Sequence, residues 1–407
     1  MTGPTVVPAA LAAAAAAAAA GLLAGLLLGS GLVGDPGISD TPVYQAYGER
    51  IAGGDIPYRD FRVEYPPAAL IPFVLPAFVS SEQGRYESSF EALMMVALAA
   101  VCVLIVLSLR VLRASPMRIA LAVAAFLLGT VLLGQFVLTR FDLYAAGLTL
   151  AAVCAILARR ATLGPVLLGV AIATKIYPAV ILPLLVVRAW KKEGRSVALR
   201  ALGLTIGTTA LVYLPFAVLA PEGVARSLWR QGGRPLQIES LGAGVLLALH
   251  NAAGMPLGWA SGSGSQNLTG AVAAVASGTT TIVGLAALAV VWVRYGRGDT
   301  DDGARFVRFA AAAAVAFVAF GKVASPQFLV WLIAIVVVVP GLRGTVATLV
   351  LLAACALTRL WFPENYWDLV RQFDPTASWL VLARDLVLVF LFAVLVVRLR
   401  AREPAPA

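Results

Sequence analysis

A polar stretch from Asp35 to Pro67 interrupts an otherwise apolar chain and carries the residues best suited to chemistry. It holds six carboxylates and three arginines among five tyrosine and phenylalanine side chains. Asp40 lies just beyond the first apolar run, where a carboxylate can act as a general base toward an attacking hydroxyl. An N-cap is the alternative for Asp40, because an acidic residue with Pro42 close behind is typical of a helix start.

The later carboxylates of this stretch favour a different interpretation. Asp55, Asp60 and Glu64 each have an arginine nearby in sequence. We therefore expect them to form local ion pairs that stabilise the loop.

Two cations form a second group. Arg140 and Lys175 lie within or beside apolar runs, where a charge is costly and usually functional. Cations at such positions can stabilise a phosphate leaving group on which negative charge develops. For Arg140 the alternatives are an ion pair with Asp142 or extension of its side chain to the membrane interface.

A third group surrounds Ser325-Pro326, which reads as an ordinary helix start. Lys322 precedes this dipeptide and Gln327 follows it. A helix start explains neither of the two, and we expect both to face the same cavity as the other candidates.

Composition determines the class of protein that must position these residues. The 407 residues are 60% hydrophobic and 13% charged, against about 45–50% and 25% in soluble domains. Long continuous apolar runs indicate a polytopic α-helical membrane protein, not a β-barrel. The net charge of +10 comes from basic clusters between apolar runs, which indicates cytoplasmic loops and no nucleic-acid partner.

No cofactor or metal site is indicated. Cys102, Cys154 and Cys355 lie inside apolar runs and are interpreted as packing residues, without a disulfide or a metal role. The single histidine, His250, argues against a histidine-based metal site. The carboxylates of the first loop form no recognisable ligand set for a divalent cation.

The apolar runs predict ten membrane crossings within a single domain, 1–407, of about 10–12 transmembrane or re-entrant helices. The first run, 9–33, is interpreted as an uncleaved helix, with a secretory signal as the alternative. Pro66–Val79 is too short to cross and contains four prolines, so we expect it to lie at the interface. The other crossings are expected at 91–112, 119–138, 143–158, 197–219, 270–293, 306–320, 328–339, 344–361 and 377–397.

Residues 163–187 are ambiguous, because basic residues flank the stretch on both sides. A single span would place one basic cluster outside, whereas a re-entrant hairpin broken at Tyr177-Pro178 keeps both inside. We prefer the hairpin, with Lys175 near its tip, although the length also allows a span.

This topology has both termini inside, with Arg398, Arg400 and Arg402 as a terminal basic cluster. It collects the polar segments on the outer face of the plasma membrane. These are a long first extracytoplasmic loop with interfacial helices (34–90), Arg140/Asp142, a second large segment (220–269), 322–327 and 361–376. Their convergence predicts an extracytoplasmic active site.

An ordered set of residues resembles the GT-C glycosyltransferases of family 87, which use polyprenyl-phosphate-linked mannose. The resemblance covers roughly residues 35–335 and rests on four places. These are Asp40, Val43-Tyr44, Gly54, Pro57-Tyr58 and Tyr65-Pro66-Pro67; Arg140-Phe141-Asp142; Gly169 with Lys175-Ile176-Tyr177-Pro178; and Ser325-Pro326-Gln327-Phe328 with Trp331.

The resemblance implies a GT-C fold and an inverting hexosyltransferase. Asp40 would be its catalytic base, activating a hydroxyl of a glycolipid or cell-envelope glycan acceptor. Arg140, Lys175 and Lys322 would bind the donor phosphate. The residues expected to line the substrate site are Tyr44, Tyr58, Tyr65, Asp142 and Gln327.

The chain departs from this pattern at one place. Some mannosyltransferases of the family carry paired histidines shortly after the Ser-Pro motif, whereas this chain has Gln327, Phe328 and Leu329. The role of a histidine therefore does not transfer, and this bears on both the sugar and the acceptor. The alternative from another class is a transporter or flippase for a lipid-linked sugar, which would need the cations but no base.

Overall fold

The computed structural model describes residues 6–34 and 37–397. Asp35 of the polar stretch and the basic cluster Arg398, Arg400 and Arg402 lie outside the described residues. Over the described residues the fold is almost entirely helical. The helices are α1 (Val6–Gly29), α2 (Thr41–Ala52), α3 (Ile71–Ala77), α4 (Gln83–Val111), α5 (Pro116–Leu133), α6 (Asp142–Leu157), α7 (Leu163–Thr174), α8 (Leu182–Glu193), α9 (Arg195–Leu219), α10 (Pro221–Gly232), α11 (Leu241–Ala253), α12 (Ala271–Gly296), α13 (Gly303–Ala319), α14 (Phe328–Val336), α15 (Gly341–Arg359), α16 (Tyr366–Gln372) and α17 (Pro375–Val396).

Seven of these helices are long and apolar enough to cross a membrane: α1, α4, α5, α9, α12, α15 and α17. Three shorter helices, α6, α13 and α14, occupy the remaining predicted crossings. All nine residues of α14 and most residues of α13 are buried, so these two helices form the centre of the bundle. The predicted all-α polytopic fold is confirmed, and the chain is a multi-pass membrane protein.

Residues 163–187 form the predicted hairpin. Helix α7 runs parallel to α9, because Thr205 Oγ1 donates to the Pro165 carbonyl and Thr209 Oγ1 to the Gly169 carbonyl. Helix α8 runs back along α9 after a turn at Gly194. Helix α7 ends at Thr174, and a 3-10 turn follows at Tyr177–Ile181 before α8. Lys175 therefore lies at the tip, about 18 Å along the axis from the start of α7.

Ion pairs confirm that both ends of this hairpin lie at the same end of the helix bundle. Arg159, before α7, and Lys192, at the end of α8, contact the same carboxylate of Asp301, at 3.2 and 2.6 Å. A single span would have separated these residues by the thickness of the bilayer.

In the first polar segment, helix α2 packs closely on α3. A Cβ atom at Gly48 would lie only 2.2 Å from the Phe73 carbonyl oxygen, so glycine allows this approach. The run predicted as interfacial forms a 3-10 turn at Pro67–Leu70 followed by α3. These eleven residues span about 16 Å, too little to cross a bilayer, and their position at the interface stays a prediction.

The second polar segment contains the only strands among the described residues, β1 (Gly258–Gly262) and β2 (Ser265–Thr269). They form an antiparallel hairpin, in register from Gly258 opposite Thr269 to Gly262 opposite Ser265. Both turn residues, Ser263 and Gly264, have positive φ, as a two-residue hairpin turn requires. This hairpin was not predicted, because the Gly/Ser-rich composition of the segment indicates a loop.

Candidate functional site

One cavity of about 780 Å³ lies where the polar segments meet. All five segments predicted to converge contribute to its wall, together with the tip of the α7–α8 hairpin. Among the charged or amide side chains that line it are Asp40, Glu64, Arg140, Lys175, Arg230, Gln231, Arg234, Gln237, Glu239, Gln266, Lys322 and Gln327. The fold therefore collects cations and carboxylates from distant parts of the chain around one space.

Asp40 lies in this wall and forms an ion pair with Arg140. Arg140 also donates to the Ile38 carbonyl at 3.1 Å, and the Tyr44 hydroxyl donates to Asp40 Oδ2 at 3.3 Å. Asp40 occupies the N-cap position of α2, as the alternative predicts, but its side chain makes no capping hydrogen bond. Ser39 Oγ instead accepts from the Thr41 amide at 3.1 Å.

Asp142 and Lys175 form a second ion pair, with Lys175 Nζ 2.5 Å from Asp142 Oδ1. Trp331 Nε1 donates to the same oxygen at 2.6 Å and stacks on Tyr177 at 4.2 Å between ring centroids. Lys175 Nζ also lies 4.2 Å from the centre of the Phe141 ring, a cation–π contact. The predicted alternative pair of Arg140 with Asp142 is wrong, since each takes a different partner.

Lys322 and Gln327 both line the cavity, as expected. Lys322 Nζ donates to the Gly232 carbonyl at 2.9 Å, which ties the start of the α14 region to the end of α10. Gln327 Oε1 accepts from Ser325 Oγ at 2.5 Å.

Three residues expected in the substrate site do not line the cavity. Tyr44 is buried and stacks on Phe73 at 4.1 Å. Tyr58 donates to the Tyr65 carbonyl at 2.6 Å, and its own carbonyl lies against Gly223 of α10, so it docks that helix on the first loop. Asp142 is buried behind Lys175. Of the three tyrosines only Tyr65 reaches the cavity wall.

The local ion pairs expected in the first loop are present for two of the three carboxylates. Asp55 contacts Arg50 and Asp60 contacts Arg59, at 2.7 and 2.9 Å. The hydrogen bond from Arg59 lowers the pKa of Asp60 to about 2. The prediction is wrong for Glu64, which lines the cavity and lies 3.7 Å from Arg230 of α10.

A buried cluster that was not predicted from the sequence lies behind the cavity. Glu239 lines the wall, and its backbone carbonyl accepts from Arg384 Nη2. Arg384 pairs with Asp385 at 2.7 Å in the middle of α17. Burial raises the pKa of the Glu239 carboxyl to about 7. Two adjacent charges inside the apolar run 377–397 were the signal that could have revealed this cluster.

The chain was compared with known protein families. The model of glycosyltransferase family 87 matches residues 64–326, more than half of the chain. No curated protein sequence matches significantly. The match favours a glycosyltransferase over a transporter. The chain belongs to glycosyltransferase family 87.

Proposed function

We propose that the protein transfers mannose, with inversion, from polyprenyl phosphate to a hydroxyl of a glycolipid or cell-envelope glycan. The observation that carries this proposal is that Asp40 lines the same cavity as the cations Arg140, Lys175 and Lys322. A glycosyl phosphate donor needs a base for the acceptor and positive charge for the leaving phosphate. The cavity holds both.

Asp40 is the proposed base. Both contacts of its carboxylate with described residues, from Arg140 and Tyr44, engage Oδ2. Oδ1 therefore remains for an acceptor hydroxyl. The ion pair with Arg140 fixes the orientation of the carboxylate, which a general base requires before it can meet its substrate.

In the proposed reaction the acceptor oxygen attacks the anomeric carbon from the face opposite the phosphate. The acceptor proton passes to Asp40 as the new bond forms. The bond between the anomeric carbon and the phosphate oxygen breaks, and polyprenyl phosphate leaves with the electron pair. Lys175, Arg140 and Lys322 stabilise the negative charge that develops on the phosphate.

An apolar arm of the cavity supports a lipid-linked donor. Leu285 and Leu288 of α12 line it, together with Phe317 of α13 and Phe320, the residue directly after α13. Leu285 is also 61% exposed. We propose that the polyprenyl chain of the donor lies along this apolar side of the cavity.

The basic clusters at the opposite ends of the helices support a cavity on the extracytoplasmic face of the plasma membrane. They include Arg159 and Lys192, which meet at Asp301. We propose no metal or other cofactor for the reaction, since the cations of the wall can neutralise the phosphate.

The proposal is tested with the purified protein in lipid nanodiscs. Radiolabelled polyprenyl-phosphate mannose is supplied with octyl α-mannoside as acceptor, and the anomeric configuration of the product is determined by NMR. We expect inverted product from the wild type and a loss of roughly 10²–10⁴-fold in rate for Asp40→Asn, as for removal of a general base.

Asp60→Asn is the matched control, because Asp60 belongs to the same loop and pairs with Arg59 away from the cavity. It should transfer like the wild type. Wild-type rates for Asp40→Asn would contradict the base assignment. A retained configuration would contradict the mechanism, and no transfer from any polyprenyl donor would contradict the function.

A further inference from the structure

The segment Leu236–Ser240, here called the platform, is held rigidly in the cavity wall by backbone hydrogen bonds on two sides. The Gln237 amide donates to the Lys322 carbonyl at 3.0 Å. The Ile238 amide donates to the Gln266 carbonyl at 3.0 Å, and Leu268 donates back to Leu236 at 2.9 Å. The platform therefore pairs with β2 through a single antiparallel bridge, Gln237 opposite Asn267, which fixes the course of its backbone along the cavity wall.

Glu239 of the platform is 1% exposed and lines the cavity. Its Oε2 accepts a hydrogen bond from Gln237 Nε2. A carboxylate only accepts hydrogen bonds, so the amide must turn its NH₂ group toward Glu239. Gln237 Oε1 then points away, buried and without a partner among the described residues.

The other oxygen of Glu239 has a different environment. No described residue donates a hydrogen bond to Glu239 Oε1. This oxygen is nevertheless not one of the fully buried polar atoms that lack a partner, so it keeps some accessible surface. It therefore faces the cavity. The other carboxylates of the wall, Asp40 and Glu64, each have an arginine as ion-pair partner, whereas none of the described ion pairs includes Glu239.

An acceptor oxygen held in this way fits a ligand that supplies neutral hydrogen-bond donors. Sugar hydroxyls are such donors, and a hydrogen bond to a charged acceptor is worth about 1.5–3 kcal/mol. Acid catalysis would not need this carboxylate, because a phosphate leaves as the anion. No group of three or more His, Cys, Asp or Glu residues within the described ranges could hold a metal ion.

We propose that Glu239, positioned by Gln237, binds a hydroxyl group of a sugar in the cavity and so contributes to sugar recognition. This inference rests on the proposed glycosyl transfer and adds a recognition residue to it. Burial is the chief cause of the raised pKa of Glu239, and Arg384, Gln237 and Arg140 offset it only in part. The hydroxyl can belong to the transferred sugar or to the acceptor sugar.

Direct binding to Glu239→Gln and Glu239→Met in nanodiscs tests the proposal and separates these two sources. In the donor arm, polyprenyl-phosphate mannose is compared with polyprenyl phosphate. In the acceptor arm, octyl α-mannoside is compared with octanol in the presence of polyprenyl phosphate. We expect the sugar-bearing ligand of one arm to bind about 10–100-fold more weakly to Glu239→Met, and less weakly to Glu239→Gln, while the sugar-free ligand binds unchanged.

The chain offers a matched control. Glu49 of α2 accepts from Gln45 Nε2 at 2.7 Å, the same amide–carboxylate pair, but it does not line the cavity. Glu49→Gln should bind all four ligands like the wild type. Thermal unfolding of each variant establishes that it is folded.

Unchanged binding of both sugar-bearing ligands to folded Glu239→Met would overturn the proposal, and so would equal weakening of sugar-bearing and sugar-free ligands. Binding does not require turnover. A wild type that binds mannosyl ligands through Glu239 but transfers no sugar would therefore refute the proposed function and leave the recognition role of Glu239 standing.

Discussion

The two ion pairs at the cavity, Asp40–Arg140 and Asp142–Lys175, differ in which member is the more exposed: the carboxylate in the first and the cation in the second. In the first pair the carboxylate is 29% exposed and the guanidinium side chain 8%. In the second pair the carboxylate is 1% exposed and the lysine side chain 16%. One pair thus presents a negative charge to the cavity, and the other presents a positive charge.

This difference indicates how the fold keeps charges in a membrane protein usable. Each reactive charge is compensated by a more deeply buried partner that lowers the cost of burial. The buried partner, Arg140 or Asp142, also orients the exposed one. We therefore expect the exposed members, Asp40 and Lys175, to act directly in transfer, and we expect their removal to leave a buried charge without compensation.

The largest expected effect on stability comes from Lys175→Met. This variant leaves the Asp142 carboxylate, which is 1% exposed, without its ion-pair partner, and loss of one partner of a buried ion pair costs about 3–5 kcal/mol. Asp142→Asn should cost less, because the lysine that it leaves unpaired is 16% exposed. Thermal unfolding in detergent measures both variants. Equal losses of stability would contradict this difference in burial between the two charges.

The double variant Lys175→Met/Asp142→Leu removes the second pair completely. Replacing a buried ion pair by apolar side chains is often neutral for stability, so we expect unfolding close to that of the wild type. Transfer should still fall by about 10²–10³-fold, the usual loss when one group that stabilises the transition-state charge is removed. If stability and transfer were both restored, Lys175 would have only a structural role.

Glu239 differs from Asp40 and Asp142, because it is a buried carboxylate of the same cavity without an ion pair among the described residues. Its pKa rises from 4.5 to about 7 on folding, chiefly through burial. The folded protein therefore holds the Glu239 proton more tightly than the unfolded chain does. The stability that this gives is fully present below about pH 4.5 and is lost as the pH rises through about 7. From pH 5 to pH 8 the wild type should lose up to about 3 kcal/mol of stability relative to Glu239→Gln.

The groups that face Glu239 are Arg384 and Asp385 of α17, Arg140 and Tyr366. They are common to both proteins, so the difference between the two unfolding curves isolates Glu239. A difference that does not change between pH 5 and pH 8 would show that Glu239 keeps an ordinary pKa.

Much of the fold follows from local properties of the sequence. The predicted crossings match helices because run length and hydrophobicity decide whether a segment can cross a bilayer. The α7–α8 hairpin was predicted from the basic residues at its two ends, and Lys175 lies at its tip as expected. The ion pairs of Asp55 and Asp60 were likewise predicted from arginines close in sequence, whereas Asp40 was singled out by the resemblance to family 87.

Other features could not be predicted in this way. Asp142 begins α6 and Arg140 precedes it, so the sequence separation of two residues does not bring their side chains together. Each finds a partner from a distant element, Lys175 or Asp40. The β1–β2 hairpin and the role of Tyr58 in docking α10 likewise depend on contacts between distant segments.

The membrane class and the order of the helices follow from the sequence alone, because hydrophobic length and flanking charge determine these features, whereas the candidate base Asp40 rests on the resemblance to family 87. Only the tertiary structure decided which charges pair, which tyrosine reaches the cavity and that Glu239 belongs to its wall. The physical reason is that an ion pair or a cavity forms between side chains that are close in space. In a helical bundle, helices distant in sequence supply them.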